Sequence, residues 1–318
     1  MRVFVAGAAG AIGRQLLPQL REQGHSVTAA TRTPAKLPLL RELGAEAVVV
    51  DGLDALAVGE AVARAEPDAV VDQMTALAGG TDLRHFDETF ALTNRLRTGG
   101  TDHLLAAATA AGVRRFIAQS YTGWPNIRTG TPVKTEDDPL DPHPPAAQRE
   151  TLAAITRLEQ TVLAAPAMHP IVLRYGSLYG PGASDEMVAM IRKRRLPVIG
   201  DGAGIWSFLH VHDAASAAVA ALDHGEPGVY NVVDDEPASV AKWLPFLAEA
   251  VGAKPPRRVP VWLGRLVAGE VGVSMMTQVR GSSNAKARRS LDWQPAWPTW
   301  RQGFAGGLGQ SEPARRAA

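Results

Sequence analysis

Gly7, Gly10 and Gly13 stand three residues apart, between the short apolar run Arg2-Val3-Phe4-Val5-Ala6 and a helical stretch that Gly24 ends. A chain turning there from strand to helix aims unpaired N–H groups and the positive end of the helix dipole at one point. That point suits a diphosphate, provided no side chain holds the phosphates away. Glycine is needed at the turn, at the contact and where helix packs on strand. Ala11 and Ile12, inside the same G-x-x-G-x-x-G string, belong to the candidate cradle. A ribose with a free 2′-hydroxyl would call for an acid about 20 residues on, yet none lies between Glu22 and Glu42. Thr31-Arg32 closes the next apolar run instead, with Lys36 nearby. A guanidinium matches a 2′-phosphate bidentately, so NADP(H) is expected in preference to NAD(H).

These residues need elements to hold them. Apolar runs at 2–6, 25–30, 45–50, 69–72 and 115–118 read as buried strands, and helical patterns separate all of them. Alternation of this kind predicts an α/β fold, a doubly wound parallel sheet with a smaller, mostly helical C-terminal lobe. After Asp235 the character changes. Pro237, Pro245, Pro255, Pro256 and Pro260 punctuate the chain, and 240–251 and 261–271 read as apolar-faced helices. The expected division is a dinucleotide-binding domain over 1–176, with 207–234 returning to it. A substrate lobe takes 177–206 and 235–310, with a tail over 311–318; fraying is expected from Gly306.

Composition excludes several classes. A net charge of +1 offers nothing to nucleic acid or an anionic membrane surface. The absence of cysteine removes disulfides, thiolate catalysis and cysteine-ligated metals together. His210 and His212 sit two apart beside Asp213, but at a strand-to-helix junction their rings point to opposite faces, so no metal is expected. No segment reaches the roughly 18 apolar residues of a membrane span. The N-terminus shows no secretory pattern, so a cytoplasmic location is expected.

Further motifs add a resemblance. Val50-Asp51-Gly52-Leu53, Gly100-Thr101-Asp102-His103-Leu104-Leu105, Thr135-Glu136-Asp137-Asp138-Pro139-Leu140, Leu173 to Gly182 and Phe208 to Asp213 follow the glycine string in order. Together they resemble the extended and atypical short-chain dehydrogenase/reductases of the NAD(P)-dependent epimerase/dehydratase type, over residues 1 to about 235. The tail NAKARRSLDWQP resembles the usual ending of that family. The resemblance implies that Asp51, Gly52 and Leu53 meet the adenine. It also implies that Met74 and Thr75 line the ribose, and that Tyr175, Gly176 and Ser177 border the nicotinamide. Trp124, Met187 and Trp206 fall where the family's substrate contacts cluster. A homodimer through the helices flanking the fourth and fifth strands is a further implication.

The likeness breaks at the catalytic helix. The family places a Tyr and, four residues on, a Lys there; anchoring on Glu159-Gln160 puts Thr151 and Ile155 at those positions, and no Tyr occurs between Thr122 and Arg174. What remains is Gln119-Ser120-Tyr121-Thr122. We expect Tyr121 to donate the proton from the opposite wall, with Ser120 or Thr122 holding a carbonyl oxygen, or else to pack against nicotinamide and substrate. A phenol with an ordinary pKa of about 10 needs a cation nearby, and the candidates are the nicotinamide and Lys134. The expected function is an NADP(H)-dependent oxidoreductase acting on a carbonyl or alcohol of a small, fairly apolar molecule. Two alternatives stand beside it: an epimerase, dehydratase or isomerase that returns its hydride, and an NADP(H) sensor without turnover.

Overall fold

The computed structural model describes residues 1–77, 82–165 and 168–309. Seven parallel strands form the central sheet: β1 (Arg2–Ala6), β2 (Ser26–Thr31), β3 (Glu46–Val49), β4 (Ala69–Asp72), β5 (Arg115–Tyr121), β6 (His169–Tyr175) and β7 (Gly228–Val232). Their order across the sheet is β7-β6-β5-β4-β1-β2-β3. The direction of winding reverses beside β1, where β4 lies on one side and β2 on the other. Doubly wound sheets open a ligand crevice beyond the strand ends at that reversal.

Strand alternation sorts the core into two layers. Val3 and Val5 of β1 face one layer with Leu16, Leu17 and Leu20 of α1 (Ala11–Glu22). Phe4 and Ala6 face the other, with Val58 and Val62 of α2 (Ala55–Ala65). That second layer also holds Leu104 and Ala108 of α4 (Thr101–Ala110), which follows α3 (Phe86–Arg95), and Leu158 and Val162 of α5 (Arg149–Leu163). Each fully buried side chain of this size contributes about 1.5–3 kcal/mol. On the first layer, the alanines of α7 (Val211–Asp223) let it lie close against α1. Between them in sequence comes α6 (Asp185–Arg192).

A third core lies beyond the strand ends, where Tyr179, Phe208, Trp243, Trp300 and Phe304 pack together. Its walls are α6, α8 (Val240–Ala250), the second half of α9 (Val261–Thr277) and α10 (Trp300–Gly306). Gly269, at φ +70°, interrupts the helical backbone of α9, so the expected helix 261–271 is two segments across a kink. The start of the expected fray is instead packed. Leu308 is buried in this core and the Gly307 carbonyl lies 2.9 Å from His210 Nε2. The tail 311–318 lies outside the described residues. Among the described residues no helix is long and apolar enough to cross a membrane.

Two departures matter for the site. β5 continues past Ala118 because Gln119, Ser120 and Tyr121 find partners in Leu173, Arg174 and Tyr175 of β6. And α3 joins α4 through a π-helical turn over Leu96–Gly100, which sequence periodicity gave no sign of. Such bulges insert one residue into a helix and often sit at functional sites.

Candidate functional site

A cavity of about 630 Å³ opens over the carboxyl ends of β1–β4. Gly7, Gly10, Ala11, Ile12, Gly13, Arg32, Asp51, Gly52, Met74 and Thr75 all line it. The glycines divide the work. A Cβ on Gly7 would lie 2.4 Å from the Gln73 carbonyl oxygen, and φ there is +76°. One on Gly13 would lie 2.1 Å from the Ala8 carbonyl oxygen, so this glycine lets α1 sit against the chain. Gly10 is different: it is exposed, and its closest neighbour would be Gly7 O at an ordinary 3.4 Å. Its missing side chain leaves room for a ligand. Gly10 is also the N-cap of α1, with no capping side chain and no acid in the first turn. The residues present therefore fit a bound diphosphate.

At the end of β2 the wall is Thr31, Arg32, Thr33 and Lys36, with no carboxylate among them. Asp51 follows β3; one of its oxygens accepts the Leu53 amide at 3.0 Å. Beneath Met74, Asp72 is buried and accepts from the Met74 amide at 3.0 Å and the Thr101 hydroxyl at 3.2 Å. Burial raises its pKa to about 6 against those two hydrogen bonds.

Four expected cofactor contacts fall outside this wall. Leu53 offers its amide to Asp51. Tyr175 is 1% exposed, its hydroxyl accepting from the Gln73 side chain at 3.2 Å. Gly176 is wedged where a Cβ would meet the Ser207 carbonyl oxygen at 2.6 Å. Ser177 also misses the wall but lines the small cleft described next. Gly182, Ala183 and Asp185 close the cavity's far side; Gly182 ends the Leu173 to Gly182 motif, while Ala183 and Asp185 carried no sequence signal.

Three hydroxyls, Ser120 and Tyr121 at the end of β5 and Thr122 just after it, find different surroundings. Ser120 is buried and donates to Glu159 at 2.7 Å, and Glu159 is held bidentately by Arg174 at 2.8 and 2.6 Å. Thr122 is buried in a second network with Asn126 and with Ser282, the latter at 2.6 Å. Neither hydroxyl is free to hold a substrate carbonyl, which corrects that expectation. Tyr121 alone of the three turns to the small cleft, its hydroxyl 3.0 Å from Ser177 Oγ. Burial raises its pKa, while the Ser177 hydrogen bond and the charge of Arg97 oppose the rise. The phenol stays protonated at neutral pH.

Tyr121, Trp124, Ser177, Trp206, Met275 and Val279 enclose a cleft of only about 20 Å³. Trp124 packs edge-on against Phe86 at 5.3 Å, and Trp206 donates its ring N–H to the Met275 carbonyl at 2.8 Å. The two tryptophans expected to meet substrate are therefore together. Met187 is elsewhere, half-buried against the third core.

Where the family's tyrosine and lysine would stand, the chain is sealed. Thr151 is fully buried; Asp87 accepts its amide and its hydroxyl at 2.9 and 2.6 Å, and Asn94 donates to that hydroxyl at 3.0 Å. Ile155 packs with Leu152, Phe86 and Trp124. Lys134 is not the missing cation, because its ammonium is buried on the Thr129 carbonyl at 2.7 Å and Asp138 at 3.2 Å. The charge that acts on Tyr121 is Arg97, from the π-helical turn. It is 8% exposed, and burial lowers its pKa to about 10 against the fields of Tyr121 and Glu159. No sequence signal marked it, because Arg97 lies outside the quoted motifs and the π-helical turn that carries it leaves no periodic mark. His210 caps α7 by accepting the His212 amide at 3.1 Å. Among the described residues no group of three or more potential metal ligands occurs.

Comparison with known proteins now adds to the geometry. The model of the NAD dependent epimerase/dehydratase family matches residues 3–233. A Streptomyces protein named 3-diazoavenalumate denitrifying reductase is 44% identical over 311 residues, covering 96% of this chain and 99% of its own length. A ketoreductase of Stigmatella aurantiaca, acting by its name on a farnesylated oxo-dihydroquinoline oxide, is 30% identical over 262 residues, covering 80% of this chain and 74% of its own. Human epimerase family protein SDR39U1, solved with NADPH, superposes with a TM-score of 0.74 at 22% identity, over 96% of this chain and 98% of that one.

Proposed function

The chain belongs to the NAD dependent epimerase/dehydratase family and is an NAD(P)-dependent oxidoreductase of the short-chain type; from that premise we propose that it is an NADPH-dependent reductase that passes hydride to a small, largely apolar aromatic acceptor without a tyrosine–lysine proton relay. When bound, the dihydronicotinamide supplies the hydride. Gly7, Gly10 and the first turn of α1 hold the diphosphate, while Arg32 and Lys36 take the 2′-phosphate. The carrying observation is the sealed pair Thr151 and Ile155.

The acceptor that suits such a site is an aryl diazo group, the chemistry named for the 44% relative. Ar–N₂⁺ plus NADPH gives Ar–H, N₂ and NADP⁺. The C–N bond breaks, dinitrogen leaves, the hydride completes the C–H bond and no proton is needed. Reducing a carbonyl consumes a proton as well, which the usual pair would donate. Trp124, Trp206 and Tyr121 supply a flat aromatic wall for such a ring. Their cleft has room for about one water molecule here, so the acceptor must widen it.

The test uses NADPH deuterated at the transferring position, 4-carboxybenzenediazonium and an enzyme-free control. Enzyme-dependent N₂ release, matched to NADPH oxidation and to deuterium in the product ring, supports the reading. Reduction of ketones with no enzyme-dependent N₂ overturns it. A second reading has its own observation. Tyr121 is a neutral phenol facing Ser177 at 3.0 Å, so on a ketone it would donate the proton, as the ketoreductase relative suggests.

A further inference from the structure

Arg97 is a buried cation for which the described residues offer no paired counter-ion. Its one hydrogen bond is a long 3.4 Å contact with Asn94 Oδ1, and among the described residues no carboxylate pairs with it. Glu159, whose field reaches it, is already bound on both oxygens by Arg174 and also accepts from Ser120. An unpaired buried charge costs several kcal/mol, so chains do not keep one without a use.

The position of Arg97 supplies the use. Its neighbour Leu96 lines the cofactor cavity, and its charge acts on Tyr121, which lines the aromatic cleft with Ser177. Arg97 is not itself among the residues that wall either space. It is one residue from the wall of the first and its charge reaches the wall of the second, so an acceptor that widens the cleft towards the cofactor is what would meet it. We infer that Arg97 anchors an anionic oxygen, a carboxylate or phenolate carried by the aromatic acceptor, and so makes the site selective for aromatic acids over neutral aromatics. This rests on the reading of the cleft as the acceptor site. It adds what the cleft's aromatic walls cannot provide, a fixed end for a flat molecule that could otherwise turn over. Guanidinium is suited to the task because its fork meets a carboxylate with two parallel hydrogen bonds.

Binding to the NADP⁺-loaded protein tests it without turnover, through quenching of tryptophan fluorescence. Benzoate is compared with benzamide, and 4-nitrophenolate with 4-nitroanisole; whichever pair separates identifies the source of the anion. The anion should bind about ten- to a hundredfold more tightly than its neutral partner, the range of a charge-assisted hydrogen bond. Arg97→Gln should erase that preference and Arg97→Lys keep part of it, both retaining NADP⁺ affinity. Should Arg97→Gln not fold, the wild-type comparison and Arg97→Lys still decide. Parity within both pairs, failure of both anions to bind, or a preference that survives in Arg97→Gln overturns the inference. N₂ release by the wild type alongside any of these results would leave the proposed reaction standing and only the anchor refuted.

Discussion

The two ends of the ligand crevice are made of different material. At the diphosphate end the working groups are backbone amides, and three glycines within seven residues arrange them. At the proposed acceptor end they are side chains from separate segments: Arg97 from the π-helical turn, Tyr121 from the end of β5 and Trp124 after it, Ser177 after β6, Trp206 beside the third core and Met275 from α9. Backbone geometry follows from local spacing and tolerates little change. An assembly of side chains can exchange one member without disturbing the sheet. That is how the usual tyrosine and lysine could be lost while the crevice itself was kept.

The largest effects should come from the backbone end. Gly13→Val puts atoms where the Ala8 carbonyl already lies and Gly10→Val does not. The first should fail to fold stably, costing several kcal/mol as overpacking and backbone clash do. The second should fold with an unchanged melting temperature yet bind NADPH at least about a hundredfold more weakly, because the side chain fills the space for the diphosphate. Calorimetry and thermal unfolding on the pair check this. If Gly10→Val binds NADPH normally, the contrast between the two ends is lost.

Arg32→Ala comes next. Losing a bidentate phosphate contact should weaken NADPH about ten- to a hundredfold and NADH far less. Equal losses for the two would place the 2′-phosphate elsewhere.

Tyr121→Phe sharpens the comparison at the other end. If hydride alone completes the reaction, turnover of the diazonium should stay within about threefold of wild type. If the phenol gives a proton to a ketone, the loss should be about a hundredfold or more. The two substrates measured on one variant separate the readings.

How far the sequence could be read follows the same division. β4 and the glycine string lie where alternation and spacing put them, because each depends on neighbours a few residues away. Ser120, Tyr121 and Thr122 were legible as a group but not as individuals. Only the extension of β5 against β6 decides that Tyr121 faces the cleft and its two neighbours face buried networks. Arg97 was not legible at all. An inserted residue in a helix leaves no periodic mark, and its significance depends on where Glu159 and Arg174 have already paired. Tyr175 and Met187 rest on resemblance alone, and neither lines the cavity or the cleft: Tyr175 is bonded to Gln73 and Met187 packs against the third core.

The smallest expected effect concerns Asp72, which braces the Met74 loop from below the cofactor cavity. Burial raises its pKa in the folded chain to about 6, above the ordinary value of 3.8. The folded state therefore holds this proton more tightly than the unfolded one. Stability from this group is fully present below the unfolded value and is lost as pH rises towards and through about 6. The loss should be about 1 kcal/mol between about pH 5 and pH 6. Half-buried acids with lowered pKa values, Asp68 and Asp138 among them, act in the opposite direction at lower pH. The quantity to measure is thus the difference between wild type and Asp72→Asn in chemical denaturation across that range. Asn keeps an acceptor for the Met74 amide but has no proton to lose, so the wild type should fall relative to the variant as pH rises. A difference that stays flat would mean that Asp72 is ionised throughout. The Met74 and Thr101 hydrogen bonds would then outweigh burial, and the floor of the cofactor cavity would carry a fixed negative charge.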